Sequence, residues 1–375
     1  MDVSIVKCID YSEDMVSDSI LRLIDLLGPL DFIRPNVKVV IKANLVSALE
    51  PNTAAITHPA LLRALSKFLI EKGAIVTIGD SPGGIFSEQH LNHVYNVTNL
   101  DCLKDIGVKL NQNFERKYTT FENAKVLKNF FYTSYLDDAD VIINFCKLKS
   151  HAMMGMSAAT KNLFGTIPGM LKPEYHYRFP NHADFANMLI DLNEYFKPCL
   201  NIVDAVYGME GNGPTKGDPK FIGAILASRD PYKLDLACAK IIGLAKEDVP
   251  TLEAAFQRNL IPANANELSC NGDLNNYIVN DFKNITSHTG ILFTDRPKLL
   301  QSFFSSSLKS IPKLSKSKCV GCKKCFEMCP AKAITMKNGK PSINRKICIS
   351  CFCCQEFCPR GAIKSKRPFV ARLLN

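Results

Sequence analysis

The chain has 375 residues, 46 Lys+Arg against 36 Asp+Glu for a formal charge of +10, and 15 cysteines with no tryptophan. At about 150 residues per domain this length fits two to three domains, and an apolar fraction of 46% excludes disorder over most of it. No apolar run nears the roughly 18 residues that cross a bilayer. The start, MDVSIVKC, lacks a basic stretch followed by an apolar one, so no signal peptide is expected and the expected location is the cytoplasm.

In chain order, residues 3–9 predict a strand. Residues 15–27 predict a helix with Ile20, Leu23, Ile24 and Leu27 on one face. A β-rich run covers 37–41. Thr57-His58-Pro59 opens a helix carrying Leu61, Leu62, Leu65, Phe68 and Leu69, which Gly73 closes before a strand at 74–78. A strand at 141–145, a helix at 183–196 and strands at 200–203 and 222–226 follow. Asp230-Pro231 then caps a helix running to Gly243. Strands alternating with helices predict an α/β domain over 1–290, built on a mostly parallel sheet with flanking helices.

Polar loops follow these strands, where open α/β sheets bind ligands. Lys42-Ala43-Asn44, Asp80-Ser81-Pro82-Gly83-Gly84, Lys147-Leu148-Lys149-Ser150-His151 and Lys161-Asn162-Leu163-Phe164-Gly165 predict an anion-binding crevice, with Gly exposing backbone N–H groups and Lys supplying charge. The expected ligand contacts are Lys42, Asn44, Ser81, Gly83, Lys149, Lys161 and Asn162. His58, His151 and Asp80 are the acid/base candidates. His58, His151, His176 and His182 lie in or beside these loops, and two readings stand for them: a metal or acid/base cluster, or ordinary capping histidines. Neither a dinucleotide fingerprint nor a P-loop string is present.

Residues 291–316 predict a linker, rich in Ser and Lys, with Pro297 and Pro312. Phe303, Phe304 and Leu308 there suit docking on the large domain or a membrane-surface contact.

The remainder, 317–375, has a different composition. Residues 300–375 hold 16 basic and two acidic residues, Glu327 and Glu356, and nine of the cysteines fall between 319 and 358. CVGCKKCFEMCP at 319–330 recurs as CISCFCCQEFCP at 348–359, 29 residues on. Both carry C-x2-C-x2-C-x3-C-P, in which three thiolates hold one [4Fe–4S] cluster and the fourth cysteine crosses to the other. Two clusters are expected: one on Cys319, Cys322, Cys325 and Cys358, the other on Cys348, Cys351, Cys354 and Cys329. Disulfides do not suit a chain without an export signal, and zinc sites show paired C-x2-C with a long gap. Asn338-Gly339 predicts a type I′ hairpin between the two motifs. The tail resembles the two-[4Fe–4S] bacterial ferredoxins over about 57 residues. It departs from them in the extra thiol Cys353, read either as a buried small hydrophobe or as a redox residue, and in its basicity. That charge suits compensation of the clusters and steering of an acidic redox partner alike.

The N-terminal strings K-x-N-L at 42–45, T-H-P at 57–59, D-S-P-G at 80–83, K-x-K-S-H at 147–151, K-N-L-F-G at 161–165, G-N-G-P at 211–214 and D-P at 230–231 resemble a widespread prokaryotic domain-of-unknown-function family. That family is often fused to ferredoxin modules. The likeness runs over most of residues 35–245, with Ala43 where proline is usual and Ser150 where threonine is usual. The family is distantly similar to the N-terminal domain of nickel-dependent lactate racemases. The resemblance implies an α/β ligand-binding domain with an iron–sulfur tail, and no reaction.

The expected function is that of an iron–sulfur redox protein, an oxidoreductase in which the ferredoxin module transfers single electrons to or from an anionic substrate or cofactor in the α/β domain. The alternative is a non-enzymatic ferredoxin-like carrier or regulatory docking module. The tail lacks nucleic-acid-binding signatures, so no nucleic-acid partner is expected, nor any transmembrane segment.

Overall fold

A computed structural model describes residues 1–285 and 310–366. Strands β1 (Val3–Lys7), β2 (Lys38–Lys42), β3 (Ile75–Gly79) and β4 (Lys109–Leu110) are followed by a small hairpin of β5 (Arg116–Thr120) and β6 (Asn129–Thr133). Then come β7 (Val141–His151), β8 (Gly155–Ser157), β9 (Leu200–Glu210), β10 (Asp218–Ser228) and β11 (Cys270–Asn271). The helices are α1 (Glu13–Leu27), α2 (Pro59–Glu71), α3 (Glu88–Val97), α4 (Ala159–Asn162), α5 (Lys172–Arg178), α6 (His182–Phe196), α7 (Pro231–Ile241) and α8 (Pro250–Gln257).

A nine-stranded sheet in the order β11-β1-β10-β9-β7-β2-β3-β4, with β8 on β7, forms the N-terminal domain. Its pairs from β9 through β7, β2 and β3 to β4 are parallel; β1–β10, β10–β9 and β7–β8 are antiparallel. The expected mostly parallel sheet is therefore present, with antiparallel strands at one side. Period-two alternation sends Ile202 to one face and Val203 to the other. Ile202 packs with Val16, Ile20, Leu23, Leu61 and Leu65 of α1 and α2. Val203 packs with Met188, Leu189, Leu234, Ala237 and Leu252 of α6, α7 and α8.

Local signals set the boundaries. Pro59 opens α2, and the His58 side chain accepts from the Ala60 N–H as N-cap. Asp230 caps α7 by accepting from the Tyr232 and Lys233 N–H groups. One expectation needs correction: residues 147–151 are not a loop. They continue β7, and Lys149–His151 pair with Ser157–Gly155 of β8.

The C-terminal module contains β12 (Ile311–Leu314), β13 (Ile334–Lys337), β14 (Lys340–Ile343) and β15 (Ile363–Lys366), with the short helices α9 (Lys324–Glu327) and α10 (Cys353–Glu356). Strands β12 and β15 pair, as do β13 and β14. Asn338 and Gly339 both have positive φ, 49° and 71°, as a type I′ turn requires. Residues 311–314, expected in the linker, are thus a strand of this module. Phe303, Phe304 and Leu308 lie outside the described residues.

Candidate functional site

Parallel pairing aligns β2, β3, β7 and β9 and collects five lysines toward their carboxyl ends. Each ammonium has three protons to place. Lys42, fully buried, places all three: on Asp80 Oδ1 at 2.7 Å, the Ala43 carbonyl at 2.9 Å and Asn162 Oδ1 at 3.1 Å. Lys147 donates to Asp204 Oδ2 at 2.9 Å and the Tyr11 hydroxyl at 2.8 Å. Lys149 donates to Asn44 Oδ1 at 2.7 Å and the Ala55 carbonyl at 2.9 Å, and pairs with no carboxylate among the described residues. Lys172 donates to the Ser81 carbonyl. Lys161 has no hydrogen-bond or ion-pair partner among the described residues; its Nζ stands 5.5 Å from the centre of the Phe164 ring.

Burial disfavours the charged form of all five. It pushes Lys149 down to about 7, helped by repulsion from Lys161. Lys172 is also pushed to about 7, by burial against the pull of Asp80. Lys161 is lowered by burial, against the attraction of Glu356 and Cys353.

Lys42 has no donor left for a ligand. Asn44 and Asn162 belong to a chain of side-chain amides, in which Asn44 donates to Asn162, Asn162 to Asn144 and Asn144 to Asn201, each at 2.8 Å. That chain braces the strand ends. Asp80 is engaged by Lys42 and by the backbone N–H groups of Leu45 and Ser81.

His58 belongs to a second, closed group. Its ring stacks on Tyr11 with centroids 3.5 Å apart, its backbone N–H donates to Asp204 Oδ2, and Asp204 also holds Lys147 and the Tyr11 hydroxyl. Burial holds His58 at about 4, hence neutral at pH 7. His151 and His176 sit near Lys161 and Glu356 instead, so the histidines do not form one cluster. Among the described residues no three His, Cys, Asp or Glu side chains converge on a single metal-ion position.

His151 Nδ1 accepts from the Met153 and Met154 N–H groups, which leaves the proton on Nε2 of the neutral ring. That atom faces Glu356 Oε1 at 3.3 Å. Burial lowers His151 to about 4. Burial works against ionisation of Glu356, but His151 and Lys161 outweigh it and hold the carboxyl at about 2. Glu356 lies in α10, so the contact joins the two domains.

Other contacts seat the same helix. Gln355 Nε2 donates to the Gly213 carbonyl at 2.9 Å, and the Thr215 hydroxyl donates to the Glu356 carbonyl at 3.4 Å. Phe352 joins the apolar core of the large domain. A Cβ on Gly83 would lie 2.8 Å from the Phe357 ring. Gly83 and the 211–214 loop therefore receive the C-terminal module, a use their glycines did not disclose. Lys172, Tyr11 and Glu356 were missed as site residues because only tertiary structure brings them there.

Cys319, Cys322, Cys325 and Cys358 line one apolar cavity; Cys329, Cys348, Cys351 and Cys354 line another. The described cysteines are all free thiols. The two loops repeat a backbone pattern, with positive φ at Gly321 and Lys323 and at the equivalent Ser350 and Phe352. Such alternation turns successive N–H groups inward into an anion-binding nest. The N–H groups of Ala333 and Ala362 donate to the sulfurs of Cys329 and Cys358, each at 3.2 Å. Thiolate rings around a cavity, backed by N–H donors and lacking hard oxygen ligands, fit [4Fe–4S] clusters.

Fold and site thus define an α/β domain with a buried lysine group, closed by an iron–sulfur ferredoxin module. Residues 39–240 match the domain of unknown function DUF362, and residues 311–359 match the 4Fe-4S dicluster domain. The chain belongs to the DUF362 family. It is 32% identical over 270 residues to a thylakoid-associated protein of Synechocystis, covering 70% of this chain and 81% of that one. The lactate racemase apoprotein of Thermoanaerobacterium thermosaccharolyticum matches in structure with a TM-score of 0.40 and 12% identity, over 65% of this chain and 57% of that one. A Thermotoga maritima protein matches with a TM-score of 0.36 and 13% identity, over 58% and 56%. No helix of the described residues is long and apolar enough to cross a membrane.

Proposed function

We propose that this protein is an iron–sulfur oxidoreductase whose C-terminal module passes single electrons to or from an anionic substrate or cofactor held by Lys149, Lys161 and Lys172. One observation carries the reading: α10, which bears Cys353 and Cys354, docks against the residues around Lys161 through Glu356, Gln355 and Phe352. The two [4Fe–4S] clusters, on the cysteine sets above, supply one-electron transfer. The lysines bind and orient the anion with the ammonium protons that no protein group takes. Docking of α10 excludes water from them, which strengthens each charge–charge contact. Of the acid/base candidates, His151 stands at the junction with its Nε2 proton, while His58 and Asp80 are occupied elsewhere. Exposed Lys316, Lys318, Lys323 and Lys324 suit an acidic redox protein as partner, and a cytoplasmic location belongs to the same reading.

Anaerobic purification with iron and sulfide analysis tests the clusters. About eight irons per chain are expected, and fewer than about six contradict two intact clusters. Thermal-shift screening with phosphorylated and carboxylate metabolites tests the pocket. A stabilising hit that is lost in Lys161→Ala supports it. No hit in the whole set favours a non-enzymatic carrier or docking module.

A further inference from the structure

We infer that an anion at the junction and an electron in the module compete for the same buried positive charge, so that the oxidised protein binds the anion and the reduced protein releases it. This rests on the anion site proposed above and adds its regulation.

The buried and half-buried charges are unevenly matched. Lys42 is neutralised by Asp80 and Lys147 by Asp204. Lys149, Lys161 and Lys172 remain, with Glu356 as the carboxylate they share. With all three protonated, as they are below pH 7 or with an anion bound, three ammonium groups against one carboxylate leave room for about two negative charges. Lys161 is drawn electrostatically toward Cys353 as well as Glu356. Cys353 in turn sits in α10 beside Cys354, which together with Cys351 belongs to the ring around the second cavity. One electron delivered by an external one-electron donor to the [4Fe–4S] cluster that this ring would hold would add one negative charge and make or break no bond. In a site with little water that charge draws on the same lysines as the anion does. Coupling of this kind is reciprocal, so the anion lowers the reduction potential by the factor through which reduction weakens its binding.

The test uses the full-length chain with its clusters reconstituted, held oxidised or reduced electrochemically, with inorganic phosphate and malonate as probes. Equilibrium dialysis gives affinity in each state, and a titration followed by electron paramagnetic resonance gives the potentials. At least one probe binds on the order of tenfold more weakly to the reduced protein. It lowers one midpoint potential by the matching amount, about 59 mV for one electron. Both effects vanish in Lys161→Met, with Lys172→Met as second variant should the first not fold, and persist in Lys346→Ala on the exposed surface. Equal affinity in the two states with unchanged potentials overturns the competition and leaves the anion site standing. No binding of either probe in either state overturns the site and the competition with it.

Discussion

Lys42 and Asp80 form a 2.7 Å ion pair roofed by Gly165: a Cβ there would come within 2.1 Å of Asp80 Oδ1 and 2.3 Å of Lys42 Nζ. The pair is inaccessible to water and brackets the carboxyl ends of β2 and β3. Breaking a buried pair leaves one charge uncompensated. Asp80→Asn is expected to cost about 3–5 kcal/mol of stability. Gly165→Ala, which must displace the pair, is expected to cost about 1–3 kcal/mol. Urea denaturation of the two variants measures both, and a loss under 1 kcal/mol for Asp80→Asn would deny the pair its bracing role.

Lys149 makes pH a probe of the site. Its folded pKa of about 7 lies below the unfolded value of about 10.4. Between these values the unfolded chain binds more protons, so this residue's cost is full below about pH 7 and fades as pH rises toward 10.4. Anion binding runs the other way, because only the ammonium form attracts an anion. Affinity for malonate, already a dianion near neutral pH, is expected to fall as pH rises through 7. Binding at pH 8 should take up protons, seen as a heat that changes with the ionisation enthalpy of the buffer. Lys172, also near 7, acts in the same direction. Affinity that is flat from pH 6 to 9 would remove both lysines from the site.

Legibility followed locality. The turn at Asn338-Gly339, the cap at Asp230 and the repeated cysteine spacing are short-range patterns, and the sequence states each of them directly. The polar end of β7 was misread because the apolar run stops at Phe145. Its lysines are buried through partners far along the chain, Lys147 through Asp204 and Lys149 through Asn44. The 211–214 glycines signal close approach without naming what approaches; here Ser150 lies against Gly213, and Gln355 donates to the Gly213 carbonyl.

Gly83 lies at a conformation open to alanine, but the added methyl would meet the Phe357 ring at 2.8 Å. Gly83→Ala is therefore expected to loosen the seat of α10, at about 1–3 kcal/mol for overpacking. Hydrogen exchange should quicken around residues 351–361, with little change in the α1 and α2 layer. Exchange that quickens uniformly over the chain would show a global rather than an interfacial effect.

Cys353 gives the sharpest test of how the protein tunes its module. It is the one cysteine of the two motifs outside both ligand sets, it is buried, and its thiol is expected to donate to the Cys351 sulfur when the clusters are bound. A hydrogen bond to a ligand sulfur favours the more negative, reduced state. Cys353→Ala removes the donor and should lower one midpoint potential. A bond of about 1 kcal/mol corresponds to roughly 40 mV for one electron. Cys353→Ser, which keeps a donor, should recover most of that shift, and iron content should stay unchanged in both variants. If alanine lowers the iron content instead, Cys353 ligates the cluster. If both variants keep the parent potentials, the residue is only a small apolar filler at the junction.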